Sequence, residues 1–157
     1  MVETPRGEMV AVVDFGSQYG QLIARRVREQ KVYCRIFSWR TPAAELRQLS
    51  PRGVILSGGP AGVYEPDAPR CDEGIFRLGV PVLGICYGMQ LGSQVLGGEV
   101  RRGEKREYGR AKIEVVRPEP LFAGLPPDLT VWMSHGDQVT ALGERLEVLA
   151  RTPTCPH

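Results

Sequence analysis

The stretch that most constrains this chain is Val80-Pro-Val-Leu-Gly-Ile-Cys-Tyr-Gly-Met-Gln90, an apolar run that ends in Gly84-Ile-Cys86-Tyr-Gly88. A buried strand over Val80 to Ile85, a sharp turn with Cys86 at its apex and a helix beyond is the arrangement it predicts. Glycines on both sides of the cysteine remove the Cβ clashes that a tight strand-to-helix turn imposes on other residues. The positive end of the following helix is expected to favour thiolate over thiol. That frame suits a nucleophile; the plainer alternative is a small apolar cysteine on a buried strand.

The rest of the chain supplies a setting for such a turn. Met9 to Phe15 reads as a buried, β-branched strand, and a helix follows it with Ser17 as N-cap. Tyr19, Leu22, Ile23 and Val27 are expected to form its inner face, with Arg25, Arg28 and Glu29 in water. Val32 to Phe37 and Gly53 to Leu56 are two further strands, separated by a short helix over Pro42 to Leu49. A Gly-, Pro- and Asp-rich loop covers 61–70, and a short helix from Asp72 to Leu78 leads to the cysteine strand. Leu91 and Val95 should share one face of the next helix, which Gly97-Gly98 stops. Strands alternating with helices predict an α/β fold, an open and mostly parallel sheet with helices on both faces and a flavodoxin-like core. Beyond residue 98 the pattern changes. Glu99 to Arg102, Arg110 to Val116, Thr130 to Met133 and Arg145 to Arg151 predict a small antiparallel extension.

Composition excludes several function classes. The chain has 157 residues, 24% of them charged, and a formal net charge of +2, too small to imply nucleic acid or an anionic membrane as partner. No apolar run reaches membrane-spanning length, and Met1 to Glu8 is polar, without the apolar core of a signal peptide. A mobile segment over 1–8, one domain over 9–157 and a cytoplasmic location are the corresponding expectations. Cys34, Cys71, Cys86 and Cys155 have irregular spacing and form no C-x-x-C pair, so neither a disulfide framework nor a metal site is expected.

Three further motifs could carry chemistry. Ser57-Gly-Gly-Pro60 follows a strand, and its adjacent glycines let backbone N–H groups approach an anion; it reads as a tight turn, a phosphate cradle or, opposite a nucleophile, an oxyanion site. The Gly-x4-Gly-Lys-Ser/Thr phosphate loop is absent. Trp132-Met-Ser-His-Gly-Asp137 ends a strand in a polar cluster, where His135 could be a base, a substrate contact or a surface histidine. His157, the last residue, is expected to fray. The basic run of Arg101, Arg102, Lys105, Arg106 and Arg110 reads as a solvated hairpin, with a docking surface as the alternative. Asp14-Phe-Gly16 reads as a strand end.

Together Asp14-Phe-Gly-Ser-Gln-Tyr19, Leu56-Ser-Gly-Gly-Pro60, Gly84-Ile-Cys-Tyr-Gly-Met-Gln90, Glu107-Tyr-Gly109 and Trp132-Met-Ser-His-Gly-Asp137 resemble a class I, triad-type glutamine amidotransferase domain, and within that class the GMP synthetase branch. The resemblance covers residues 9 to 156. It implies that Cys86 attacks the side-chain amide of glutamine, that the N–H groups of Gly59 and Tyr87 hold the oxyanion, and that Gly58, Gln90, Ser134 and His135 contact the substrate. It further implies that ammonia passes to a synthetase domain or subunit, which uses ATP and magnesium to aminate xanthosine monophosphate. No cofactor is expected in this chain, and any homodimer is expected to form through the synthetase part. The family's His-Pro-Glu motif does not occur in these residues. The expectation is therefore a domain incomplete at its C-terminus, whose cysteine lacks its base and whose own glutaminase activity is low. Two other functions stay open: an amidotransferase subunit for another acceptor, as in anthranilate or carbamoyl phosphate synthesis, and an inert binding module of the same fold.

Overall fold

The computed structural model describes residues 8–157, with the backbone alone at residues 104 and 105. The mobile segment expected over 1–8 lies outside the described residues except for Glu8. The chain divides into two compact units, the first ending at Gly92 and the second running from Ser93 to His157.

In the first unit, strand β1 (Met9–Asp14) is central. It pairs in parallel with β2 (Tyr33–Ser38) on one side and β3 (Gly53–Leu56) on the other, and β3 pairs in parallel with β4 (Val82–Gly84), giving the order β2-β1-β3-β4. Alternation along β1 sends its side chains to two faces, and both are covered. Val12 packs with Ala24 and Cys34, and Val10, Ile23, Val27, Ile36 and Ile55 close around them. Ala11, Val13, Val54 and Leu56 are buried on the opposite face. Strands buried on both sides explain the near-continuous apolar character of Met9 to Val13.

Helix α1 (Gly20–Glu29) joins β1 to β2. Its inner face is Gly20, Ile23, Ala24 and Val27, so the expected assignment of Tyr19 and Leu22 to the core is wrong; both are exposed. The helix begins later than a Ser17 cap would place it. Tyr19 occupies the N-cap position, and the Ser17 hydroxyl accepts the Tyr19 N–H at 3.0 Å. A later start rotates the apolar stripe, which puts small residues against the sheet where α1 comes closest.

Helix α2 (Ala43–Gln48) buries Ala43 and Leu46. The helix expected from Asp72 is a short 3-10 segment, Glu73–Arg77, and one carboxylate holds both pieces: Asp72 accepts the N–H of Gly74 at 2.8 Å and of Ala43 at 2.9 Å. Helix α3 (Tyr87–Val95) follows β4, with Leu91 buried as expected. No helix among the described residues is long and apolar enough to cross a membrane.

The second unit holds an antiparallel sheet of β5 (Glu99–Val115), β6 (Asp128–Ala141) and β7 (Ala150–Arg151) in the order β6-β5-β7. The first two short strands expected here are one strand. No proline interrupts residues 99–115, and the basic run lies along β5 instead of forming a hairpin turn. Arg101, Arg102, Arg106 and Arg110 are exposed, as a solvated reading requires. The register slips between Arg102, opposite Asp137, and Glu107, opposite His135. Such a bulge bends a strand and re-aims its side chains. Residues 145–149 are not strand, which leaves β7 two residues long.

Candidate active site

The carboxyl ends of β1, β3 and β4 carry the candidate residues of the first unit. Cys86 sits between β4 and α3 with φ +48°, left-handed backbone that a residue with a Cβ adopts at a cost of about 1–2 kcal/mol. The turn is held rigidly: Ile85 N–H donates to Leu56 O at 2.9 Å, Gly88 N–H to Ser57 O at 3.0 Å, and Gln90 N–H to Cys86 O at 3.0 Å. The flanking glycines are required. A Cβ on Gly88 would lie 2.5 Å from the Leu56 Cβ and carbonyl oxygen, and one on Gly84 would lie 2.5 Å from the Met89 backbone. Helix α3 thus starts against β3 more closely than any side chain allows.

The Ser57-Gly-Gly-Pro60 turn lies beside it. A Cβ built on Gly58 stands 3.6 Å from the Cys86 Cβ, and one on Gly59 would meet the Phe15 carbonyl at 2.9 Å and the Tyr87 ring at 3.4 Å. Ser57 is fully buried and ties the loops together: its hydroxyl accepts the Phe15 N–H at 3.0 Å and lies 3.2 Å from Asp14 Oδ1. The same Asp14 oxygen accepts the N–H groups of Gly16 and Ser17 at 3.1 Å. Asp14 and Ser57 therefore shape the rim from beneath, a role that the letters Asp-Phe-Gly do not reveal. Tyr87 is buried against Phe15, ring centroids 5.2 Å apart, and its hydroxyl donates to Pro69 O at 2.5 Å. Among the described residues neither the Gly59 nor the Tyr87 N–H is taken by a backbone carbonyl, whereas the Gly88 N–H is. Gln90, one turn into α3, is buried.

Of the four cysteines, Cys86 is the exposed one. Burial pushes the Cys71 thiol up to about 11, and partial enclosure also pushes Cys86 above its ordinary value. The expected thiolate-favouring effect of the helix is thus opposed by desolvation. No disulfide joins the described cysteines.

In the second unit, Ser134 and His135 lie on β6, and the bulge in β5 brings Glu107 opposite His135. His135 Nε2 is 2.9 Å from Glu107 Oε2, and Nδ1 is 3.1 Å from Asp137 O. Both ring nitrogens thus lie within hydrogen-bond distance of an oxygen acceptor. The other carboxylate oxygen of Glu107 accepts from the hydroxyls of Thr152, at 2.8 Å, and Thr154. Desolvation raises the Glu107 carboxyl, but hydrogen bonds from Thr154, Thr152 and His135, with the His135 charge, outweigh it and hold the group below its ordinary value. Cys155 is adjacent, its thiol pushed up by burial and then by the Glu107 charge. Ligand atoms of Glu107, His135 and Cys155 lie within 4.8 Å of one another, the set a cation could use here. His157 is not frayed: its Nδ1 lies 2.9 Å from Val139 O. Sequence reasoning misses Glu107, Thr152 and Thr154 as site residues. Only the Glu107-Tyr-Gly109 motif hints at the first, and nothing local marks the threonines, 45 and 47 residues away from it.

A family profile described as glutamine amidotransferase class-I matches residues 11–156. The chain belongs to the class I glutamine amidotransferases. Its curated relatives include proteins named GMP synthase [glutamine-hydrolyzing] from Gloeobacter violaceus, 54% identical over 95% of this chain and 27% of that protein, and from Thermomicrobium roseum, 53% identical over 98% of this chain and 29% of that protein. The amidotransferase chain thus spans less than a third of the length of these relatives. Among solved structures, a Thermoplasma acidophilum protein described as one component of a GMP synthase superposes with a TM-score of 0.82 at 32% identity, covering 94% of this chain and 74% of that one. A glutamine amidotransferase from Thermotoga maritima, 24% identical over 95% of this chain and 69% of that one, shares the fold at a TM-score of 0.74.

Proposed function

We propose that this amidotransferase chain is the glutamine-hydrolysing part of a GMP synthase, with Cys86 as its nucleophile. The observation that carries the reading is the left-handed Cys86 turn facing Gly58 and Gly59. The Cys86 thiolate attacks the side-chain carbonyl carbon of glutamine, and the oxyanion that forms is met by the N–H groups of Gly59 and Tyr87. The C–N bond then breaks, nitrogen takes a proton and leaves as ammonia, and a γ-glutamyl thioester remains. Water hydrolyses it, releasing glutamate and restoring the thiol. Because desolvation disfavours the thiolate, the reaction calls for a base to take the Cys86 proton, and a triad-type partner supplies it in this reading. Gln90, Ser134 and His135 are assigned to glutamine binding.

Ammonia is assigned to a synthetase part that uses ATP and magnesium to aminate xanthosine monophosphate. No lysine follows Ser57-Gly-Gly-Pro60 as it would in a phosphate loop, which supports placing ATP in the synthetase part. No step in this chain is routed through the nucleotide. GMP synthase is preferred to another acceptor because the relatives at over half identity carry that name. Treatment of the intact protein with a glutamine analogue bearing an electrophilic ketone should label Cys86, by peptide mass spectrometry, and excess glutamine should protect it. Labelling at another cysteine, or none, would sink the assignment.

A further inference from the structure

The Glu107 cluster has a use that the Cys86 chemistry does not absorb. Its carboxylate is more fully engaged than any hydrolysis step requires of it: His135 holds one oxygen, and Thr152 and Thr154 hold the other. The side chains of Glu107 and His135 are each only 13% exposed, so this is an enclosed contact and not a surface pair. The Thr152 hydroxyl also accepts the N–H of Cys155 at 2.8 Å and of Thr154 at 3.3 Å, which fixes the segment that presents it. The bulge between Arg102 and Glu107 is what aims Glu107 at His135, and His135 in turn grips its own strand through Asp137 O.

We propose that Glu107 is the positioning residue for the glutamine-binding segment Ser134 to Asp137. Acting through the His135 ring, it sets the backbone of β6 at the place where the strand would otherwise be free to slip at the bulge. This rests on the reading of Ser134 and His135 as glutamine contacts. The physical reason is that a short strand segment beside a bulge has lost its regular ladder, so its precise placement must come from side chains. A carboxylate with three donors is a stiff tether. A shift of that segment would loosen its contacts with glutamine in ground state and transition state alike, which appears as a raised KM. The same three ligand atoms could in principle hold an ion, but in the structure each already has a protein partner: Glu107 and His135 as above, and Cys155 Sγ the carbonyl of His157 at 3.6 Å.

The test uses the intact protein in two variants. In Glu107→Gln the shape is kept and the charge removed; in Thr154→Val one hydroxyl is removed while the ion pair stays. For Glu107→Gln we expect the KM for glutamine to rise about tenfold with kcat within about threefold of the parent, and for Thr154→Val a smaller rise in the same direction. A purely structural role would instead lower kcat through a smaller active fraction and leave KM unchanged, and that result overturns the proposal. Independently of catalysis, the ring-nitrogen NMR resonances of His135 should move in Glu107→Gln, because the contact at Nε2 changes from a carboxylate to an amide. Ring resonances unaffected by the substitution also overturn it. So does stoichiometric zinc in the purified protein that is lost in Glu107→Gln. If the parent fails to bind or hydrolyse glutamine, the glutamine reading falls, while the NMR measurement still decides whether Glu107 holds the ring.

Discussion

The Cys86 turn and the Glu107 cluster are built by opposite means. At Cys86 the geometry is made by backbone and by missing side chains: a left-handed cysteine, glycines that a Cβ would not replace, and N–H groups aimed by the start of a helix. At Glu107 it is made by side chains alone, brought from β5, β6 and the segment after β7. The first kind of site is written in adjacent residues and tolerates almost no change in them. The second is assembled from distant positions and can be dismantled one hydrogen bond at a time. The contrast predicts graded mutational behaviour, all-or-none at the turn and incremental in the cluster.

The largest effect should come from Cys86→Ala. With Cys86 in the proposed role of nucleophile, its loss should lower glutamine hydrolysis by the intact protein by about 10³-fold or more, with an unchanged circular dichroism spectrum; appreciable residual turnover would break the comparison at its first term. Gly88→Ala comes next. Its Cβ would need to occupy space 2.5 Å from the Leu56 backbone, so urea unfolding should show a loss of about 1–3 kcal/mol or more. A neutral result would mean that α3 can lift from the sheet.

A smaller effect is expected from pH. Glu107 has a folded-state carboxyl held below its ordinary value. Its contribution is therefore fully present above the unfolded value near 4.5, and is lost as pH falls through the lower folded value. Stability measured from pH 7 downward should decline in that acid window, and Glu107→Gln should be less stable at pH 7 but flatter below it. Parallel curves for the two proteins would show that the tether carries no net stability. The smallest effect belongs to Leu22→Gln, on the face of α1 that sequence periodicity assigns to the core. Because Leu22 is exposed, the change should stay within about 0.5 kcal/mol; a core-sized loss would restore the face that periodicity favours.

Much of the first unit was legible in residue order. The alternation of β-branched runs with helical segments announced the parallel sheet, because strands buried on both faces need near-continuous apolar sequence. The frame around Cys86 was legible because the constraint is local: only glycines fit beside that turn. Helix α1 was less legible. Its apolar residues outnumber those it buries, and close approach at Gly20 and Ala24 selected small side chains over Tyr19 and Leu22. In the second unit the antiparallel class was evident, but the fusion of two expected strands into β5 was not. A bulge leaves no mark in periodicity beyond a slip of register.

By itself the sequence determined the class of fold, the Cys86 turn and the glycines that frame it, since each follows from local patterning and from sterics among neighbours in the chain. The tertiary structure decided what faces what. It placed Gly58 and Gly59 against Cys86 and Tyr87, drew Asp14 and Ser57 beneath them, and engaged both nitrogens of His135. Glu107 marks the division most clearly: its motif was visible, but its partners are 28, 45 and 47 residues away. Hydrogen bonds over such separations follow from the register of a bulged sheet, which only the folded chain specifies.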